Sequence, residues 1–334
     1  MTERETPGAP PSRRRRRWAA AGIVLLLVAG GVWANNTSLF GSTAGKAPRV
    51  LAHRGLSQTF DASGVGNDTC TAERIHPPEH DHLENTLSGM RAAFDAGADA
   101  VELDVHITAD GDFAVFHDWE VGCRTDGSGT TRDHTMAELK ELDIGYGYTP
   151  DGGRTHPFRG QGKGALPSLG EVLAEFPTEP LLIHVKSDDP AEGEALADRL
   201  ARLPDRRLGE VTVYGGDAPV AALRDRMPGL RVMSKEIMLD CLLAYEAVGW
   251  TGHVPAACSG VQLHIPEGYA PWLWGWPSTF VARMEAVDTR VVLVAGSGGF
   301  SEGFDTRESL ERVPDGFTGT IWTNRADRIA PLVR

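Results

Sequence analysis

The chain has 334 residues, enough for one large domain or two average ones, and its 41% hydrophobic and 24% charged content suits a globular protein with a sizeable core. The formal net charge is −13; the first 46 residues carry +5, so the remainder carries −18. That balance excludes nucleic acid and an anionic membrane surface as partners of the main body by bulk charge.

The N-terminus is a separate object. Residues 1–17 end in five consecutive arginines, Arg13 to Arg17, and form a basic n-region; residues 18–34, Trp18 to Ala34, carry no charge. A basic block before an apolar run is an export signal with its positive end inside. About 17 apolar residues is short for a span, and Val32-x-Ala34 suits signal-peptidase cleavage, so a removed signal peptide and a single transmembrane anchor both fit. Residues 35–48 read as a linker. In either case the body of the chain lies outside the cytoplasm, anchored to the membrane or secreted. Cys70, Cys123, Cys241 and Cys258 fit an oxidising compartment, and the absence of a Cys-x-x-Cys pair argues against a cysteine metal site.

From Arg49 onward, short apolar strands alternate with helical segments. Strands are predicted near 50–54, 99–105, 113–117, 181–186, 210–214, 230–233, 260–264, 290–294 and 318–322. Helices are predicted near 85–96, 135–142, 168–176, 191–202, 217–227, 237–248, 277–287, 305–312 and 326–333. The alternation is that of parallel βα units, and eight or so inner strands over residues 49–334 predict a single (β/α)8 barrel. No glycine-rich dinucleotide fingerprint follows the first strand, which counts against a doubly wound open sheet. In a barrel the loops holding Cys70 and Cys123 rise from the same rim, while Cys241 and Cys258 flank one helix and its exit loop. The expected pairs are therefore Cys70–Cys123 and Cys241–Cys258.

The most informative stretch is residues 99–118. Asp110-Gly111 predicts a tight turn between two strands. On the first, Val101, Leu103 and Val105 face one way and Glu102, Asp104 and His106 the other. Two carboxylates projecting side by side repel unless a cation or proton lies between them, and a hard divalent ion such as Ca²⁺ or Mg²⁺ answers that need. The second strand delivers His117. Upstream, Val50-Leu51-Ala52 ends in His53-Arg54-Gly55, which sets a proton carrier beside a fork-shaped anion clamp. The loop from Leu56 to Leu83 is long and holds His80-x-His82 with Asp81, read as polar residues of a loop that walls the mouth of the site. A second loop carries Trp272, Trp274 and Trp276 at alternating positions. It suits either an aromatic rim for a lipid chain or a cap packed over the barrel.

His53-Arg54-Gly55, Glu84-Asn85-Thr86, Glu102-x-Asp104, Thr108-x-Asp110-Gly111 and His117-Asp118 together resemble the signature of the glycerophosphodiester phosphodiesterase family. Leu166-Pro-Ser-Leu169, Leu182-Ile-His-Val-Lys186 and Gly319-Thr-Ile-Trp-Thr-Asn-Arg325 extend the resemblance over roughly residues 49–334. It implies a metal-dependent phosphodiesterase barrel in which His53 accepts a proton and His117 donates one. Arg54 and Lys186 would then grip the phosphate, Glu102 and Asp104 would hold one divalent ion, and Glu84 would support Arg54 or the metal. The family usually has glutamate, a metal ligand, where this chain has His184. Three readings follow: His184 is itself a ligand, water replaces the carboxylate, or Asp188 or Glu267 compensates. Leu83 stands where proline is usual, and the family's tryptophan-threonine motif on the seventh strand is replaced by Val291-Val-Leu-Val.

The expected activity is hydrolysis of a glycerophosphodiester, or a lysophospholipid headgroup, to an alcohol and glycerol 3-phosphate or lysophosphatidate. The rivals are a sphingomyelinase D-like lipid enzyme and an inactive envelope binding protein.

Overall fold

The computed structural model describes residues 13–39, 46–66, 69–297 and 302–334. Elements follow in the order α1 (Arg13–Asn36), β1 (Arg49–Ala52), α2 (Leu87–Ala96), β2 (Ala100–Ile107), β3 (Phe113–Val115), α3 (Met136–Glu141), α4 (Leu169–Glu175) and β4 (Leu181–Val185). Then come α5 (Pro190–Leu200), α6 (Asp205–Leu208), β5 (Val211–Gly215), α7 (Asp217–Arg226), β6 (Arg231–Met233) and α8 (Lys235–Val248). The chain closes with β7 (Gln262–Pro266), α9 (Ser278–Glu285), β8 (Arg290–Val294), α10 (Arg307–Leu310), β9 (Thr320–Thr323) and α11 (Ala326–Val333).

Parallel strands neighbour one another in the order β6-β5-β4-β2-β1-β9-β8-β7, and a parallel bridge from Val232 to Val261 brings the two ends together. Eight parallel strands thus form a nearly closed barrel, as the βα alternation predicts. β3 lies outside that ring, antiparallel on β2 with Val105 opposite Val115. Gly111 alone takes the left-handed conformation in the connecting turn, at φ +78°.

Strand alternation divides the interior in two. Val101, Leu103 and Val105 face outward and pack with Ile183, Val213, Leu263 and Ile321 beneath helix residues such as Met90, Leu196, Leu223 and Phe280. Leu51, Leu182, Val292, Val294 and Trp322 fill the inside of the barrel below the functional rim. Local capping fixes where the helices begin. The Thr86 hydroxyl accepts the Gly89 N–H at 3.0 Å to start α2, and Ser168 with Glu171 forms a capping box on α4.

The segment from Leu56 to Leu83 has its own packing rather than being a bare loop. Ala72, Ile75 and Leu83 share a second apolar cluster with Phe116, Val121, Leu139, Tyr148 and Phe158 from the insertion between β3 and α4. The Cys70–Cys123 disulfide ties these two segments together, and Cys241–Cys258 ties α8 to its exit loop, both as expected. All four cysteines are paired.

The apolar N-terminal run lies within α1, where Ile23 to Val28 are exposed, and Asn35 and Asn36 donate to the Trp250 carbonyl of the barrel. The first twelve residues of the basic n-region and residues 40–45 of the linker lie outside the described residues. Among the described residues no helix is long and apolar enough to cross a membrane.

The tryptophan loop departs from one of its two expectations. Trp276 packs against Phe280 and Phe317, and the Trp274 indole N–H donates to the Glu246 carbonyl at 3.1 Å. Trp272 is 80% exposed and Tyr269, on the same loop, is 67% exposed. The three tryptophans therefore do not form one exposed rim, because the loop turns two of them onto α8 and α9.

Gly55 holds the crossing of β1 and α2. Its φ is +77°, and a Cβ there would lie 2.8 Å from the Met90 nitrogen and 2.9 Å from the Gly89 carbonyl carbon. Gly55→Ala should cost roughly 1–3 kcal/mol of stability. Urea unfolding of the two proteins measures this, and an unchanged midpoint would contradict it.

Candidate active site

The strand ends that sequence reasoning singled out converge on the C-terminal rim of the barrel. Glu102 and Asp104 stand on β2 with 0% and 1% exposure, and His184 on β4 pairs in register with Asp104. The His184 Nδ1 lies 2.9 Å from an Asp104 oxygen and 3.9 Å from a Glu102 oxygen. His53 follows β1, with its Nε2 3.8 Å from Glu102. Lys186 follows β4, and its Nζ is 3.8 Å from Asp104.

Arg54 is held by three acids. Its backbone N–H donates to Glu102 at 3.1 Å, its Nη1 donates to Glu84 at 2.9 Å, and its Nε pairs with Asp104 at 3.2 Å. The backbone of Arg54 is left-handed, at φ +58°, a conformation that costs a non-glycine residue on the order of 1 kcal/mol. The same strain recurs at Asn85, φ +57°, whose side chain donates to an Asp104 carboxylate oxygen at 3.0 Å and accepts the Asp104 N–H at 3.1 Å. Strained backbone at both positions thus aims Arg54 and Asn85 at the acid pair.

Electrostatics separate the two acids. Burial and the adjacent Asp104 charge push the Glu102 carboxyl well up. Burial acts on Asp104 in the same direction, but Arg54 and Lys186 outweigh it and hold that carboxyl well below the usual range. Tyr214 donates its hydroxyl to Glu102 at 2.7 Å and stacks on the His184 ring at 4.1 Å. Burial also lowers His184 to about 4, so its imidazole is neutral and offers a lone pair.

The donor atoms of Glu102, Asp104 and His184 all lie within 4.8 Å of one another. Two carboxylates and one neutral imidazole, ringed by polar partners, fit a divalent cation. Of the three readings of His184, the geometry favours the imidazole itself as the third donor. Asp188 and Glu267 lie outside this cluster among the described residues, and Glu267 instead pairs with Arg312 at 3.0 Å. His80 and His82 do not form a metal cluster among the described residues either; His80 is tied to Gln58.

The two histidines at the rim are oriented by different partners. His53 Nδ1 is 2.6 Å from the Asn324 side-chain oxygen, and the Asn324 amide in turn donates to Asp305 at 2.9 Å. That chain places the His53 proton on Nδ1 and leaves Nε2 bare beside Glu102. Burial and the Arg54 charge lower the His53 pKa well below its ordinary value. His117 Nδ1 is 2.6 Å from Asp118. Burial and Arg54 lower His117, while Asp104 and Asp118 oppose the shift. His106, on β2, donates from Nε2 to the His117 carbonyl at 3.1 Å.

Several of these supporting residues carried no role in the sequence. Asn85 and Asn324 stand inside quoted motifs, but Tyr214, Asp305 and His264 have no motif around them. Their partners lie on other strands, and only the barrel brings them together. His264 sits between the Tyr214 and Trp322 rings at 5.4 Å from each and completes an aromatic wall beside His53.

Residues 53–206 match the model of the glycerophosphoryl diester phosphodiesterase family. That stretch holds His53, Arg54, Glu84, Glu102, Asp104, His117, His184 and Lys186. It is 34% identical over 103 residues to a glycerophosphodiester phosphodiesterase of Caldanaerobacter subterraneus subsp. tengcongensis, covering 31% of this chain and 39% of that one. The barrel superposes on the glycerophosphoryl diester phosphodiesterase domain of an uncharacterized Mycobacterium tuberculosis protein with a TM-score of 0.61 and 18% identity, covering 86% of this chain and 100% of that chain. It also superposes on an Oleispira antarctica phosphodiesterase in complex with the product sn-glycerol-3-phosphate, with a TM-score of 0.54 and 18% identity, covering 84% and 94%. These superpositions establish a shared fold. The chain spans less than two thirds of the length of the curated relatives that it matches.

Burial sets an acid sensitivity in the rim. It lowers His264 to about 3 and His106 to about 4, against an ordinary 6.5. A histidine with a lowered folded-state pKa takes up its proton on unfolding, so its contribution is lost as pH falls through 6.5 toward the folded value. Between pH 7 and pH 5, His264→Gln should therefore lose less stability than the parent, by up to about 2 kcal/mol. Urea unfolding in chelator at both pH values checks this; equal losses in both proteins would contradict it.

Proposed function

We propose that this chain is a metal-dependent phosphoric diester hydrolase that cleaves glycerophosphodiesters to an alcohol and glycerol 3-phosphate. The observation that carries the reading is the pairing of two differently oriented histidines with a buried acid pair and two cations, Arg54 and Lys186, on one barrel rim. The Oleispira neighbour with bound product agrees with the substrate class.

The phosphate monoanion of the substrate is gripped by Arg54, whose guanidinium Glu84 and Asp104 hold in place, and by Lys186. Glu102, Asp104 and His184 would hold the divalent ion, Ca²⁺ or Mg²⁺ or a borderline metal that accepts imidazole, which when bound would supply Lewis-acid neutralisation of phosphoryl charge. His53 Nε2, bare and neutral, takes the proton of the attacking oxygen. His117, its Nδ1 proton fixed by Asp118, gives its Nε2 proton to the departing alkoxide. The substrate's negative charge offsets Arg54 and Lys186, the groups that hold His117 down, and so favours its protonated form. Two imidazoles in unlike settings thereby divide the acid and base work.

The rim favours a water-soluble glycerophosphodiester over a lysophospholipid headgroup, since it is lined by His, Arg, Lys and Tyr side chains and only Trp272 of the three tryptophans is exposed. An extracytoplasmic location, with the N-terminal segment as export signal or anchor, agrees with the paired cysteines and the arginine block.

The test is turnover of glycerophosphocholine, lysophosphatidylcholine and bis(p-nitrophenyl) phosphate. His53→Ala and His117→Ala should each lower kcat by roughly 10²–10⁴-fold. Chelator should abolish turnover, and added divalent ion should restore it. Equal rates in all samples would overturn the hydrolase reading, and release of choline from the lysolipid alone would overturn the substrate assignment.

A further inference from the structure

Arg124 lies outside every motif of the sequence, yet it is 2% exposed and sits between the two halves of the site. Its Nη1 is 3.3 Å from one Glu84 oxygen, while the other Glu84 oxygen accepts from Arg54 at 2.9 Å. On its other side, Nε is 2.9 Å from one Asp118 oxygen, while the other is 2.6 Å from His117 Nδ1. Arg54, Glu84, Arg124, Asp118 and His117 thus form one line of alternating charge, buried at Arg54, Glu84 and Arg124 and half-buried at Asp118 and His117. One end is the phosphate clamp and the other is the proton donor.

The remaining Arg124 donors are satisfied by the surrounding scaffold. Nη2 donates to the Thr71 hydroxyl at 2.8 Å and Nη1 to the Tyr148 hydroxyl at 2.9 Å, and Tyr148 is buried in the second apolar cluster. Thr71 directly follows Cys70, and Arg124 directly follows Cys123. The Cys70–Cys123 disulfide therefore covalently joins the residues that immediately precede the two whose side chains meet in the Arg124–Thr71 bond. Burial pushes the Asp118 carboxyl up, but Arg124 outweighs it and keeps Asp118 ionised to accept the hydrogen bond from the His117 Nδ1–H.

We propose that Arg124 is a positioning residue that sets the spacing and charge of Arg54 and His117 together, and that the Cys70–Cys123 disulfide is what holds it there. This rests on the hydrolase reading. Activity then depends on the oxidised state of this one disulfide, although neither sulfur touches the substrate. Without Arg124, Glu84 and Asp118 lose the cation between them. Each of these acids, the partner of Arg54 and of His117 respectively, is then left without that support.

The experiment uses the full chain and compares Arg124→Met, Arg124→Lys, the double variant Cys70→Ala/Cys123→Ala, their combination, and Cys241→Ala/Cys258→Ala as control. Turnover of glycerophosphocholine is read well below every unfolding midpoint, with kcat and KM separated. Parent turnover comes first; if the parent is inactive, the hydrolase reading fails rather than this one. Arg124→Met and Cys70→Ala/Cys123→Ala should each lower kcat by roughly 10–100-fold, as loss of an orienting partner does elsewhere. Their combination should add little to either. The control pair, remote from the site, should keep the parent kcat. Dithiothreitol, which reduces the disulfide to two thiols as it is itself oxidised to a cyclic disulfide, should lower parent turnover but leave Cys70→Ala/Cys123→Ala unchanged. If Arg124→Met does not fold, Arg124→Lys and the cysteine variants decide the matter. Parent-like kcat in those variants, fully multiplicative effects in the combination, or an equal loss in the control pair would overturn the proposal.

Discussion

Two buried carboxylates two residues apart on one strand are the constraint from which the rest of the rim follows. Water cannot relieve their repulsion, so the protein surrounds Glu102 and Asp104 with Arg54, Lys186, Asn85, His184 and Tyr214. Each partner comes from a different segment: the turns after β1 and β4, the start of α2, and β4 and β5 themselves. Closing the barrel is what brings them together. The acid pair is costly to bury, and the same cost makes the site able to concentrate positive charge where a phosphate would sit.

A second level of organisation supports the first. The long segment after β1 and the insertion after β3 build their own small core and a disulfide on one side of the rim. On the opposite side, Asp305 and Asn324 orient His53. The two rim imidazoles are therefore supported by unrelated parts of the chain, which explains how one rests on an amide and the other on a carboxylate. The left-handed backbone at Arg54 and Asn85 is the local strain that this surrounding structure sustains.

The barrel was legible because its signals are periodic and local. Alternation within residues 101–106 separated the outward valines and leucine from the inward acids, and helix and strand runs fell within a few residues of their observed ends. The disulfide pairs were legible because topology left each cysteine one near neighbour. What was hidden depends on distant partners. Arg124 is an ordinary surface-type residue until Glu84, Asp118 and Tyr148 enclose it, and Tyr214 gains its role only beside His184 in register across two strands. The tryptophan spacing was compatible with both a rim and a cap, and the packing of Trp274 and Trp276 onto α8 and α9 decided mostly for the cap. His184 looked like a departure from the family pattern; its position opposite Asp104 places its ring against the acid pair.

The central claim is that the acid pair and His184 form the seat of one divalent cation. Crystals soaked in Mn²⁺ and measured at the manganese absorption edge test it most directly. The account predicts a single strong anomalous peak per chain bounded by Glu102, Asp104 and His184, lost in Glu102→Gln. No peak there, or a peak elsewhere on the rim that survives Glu102→Gln, would contradict it.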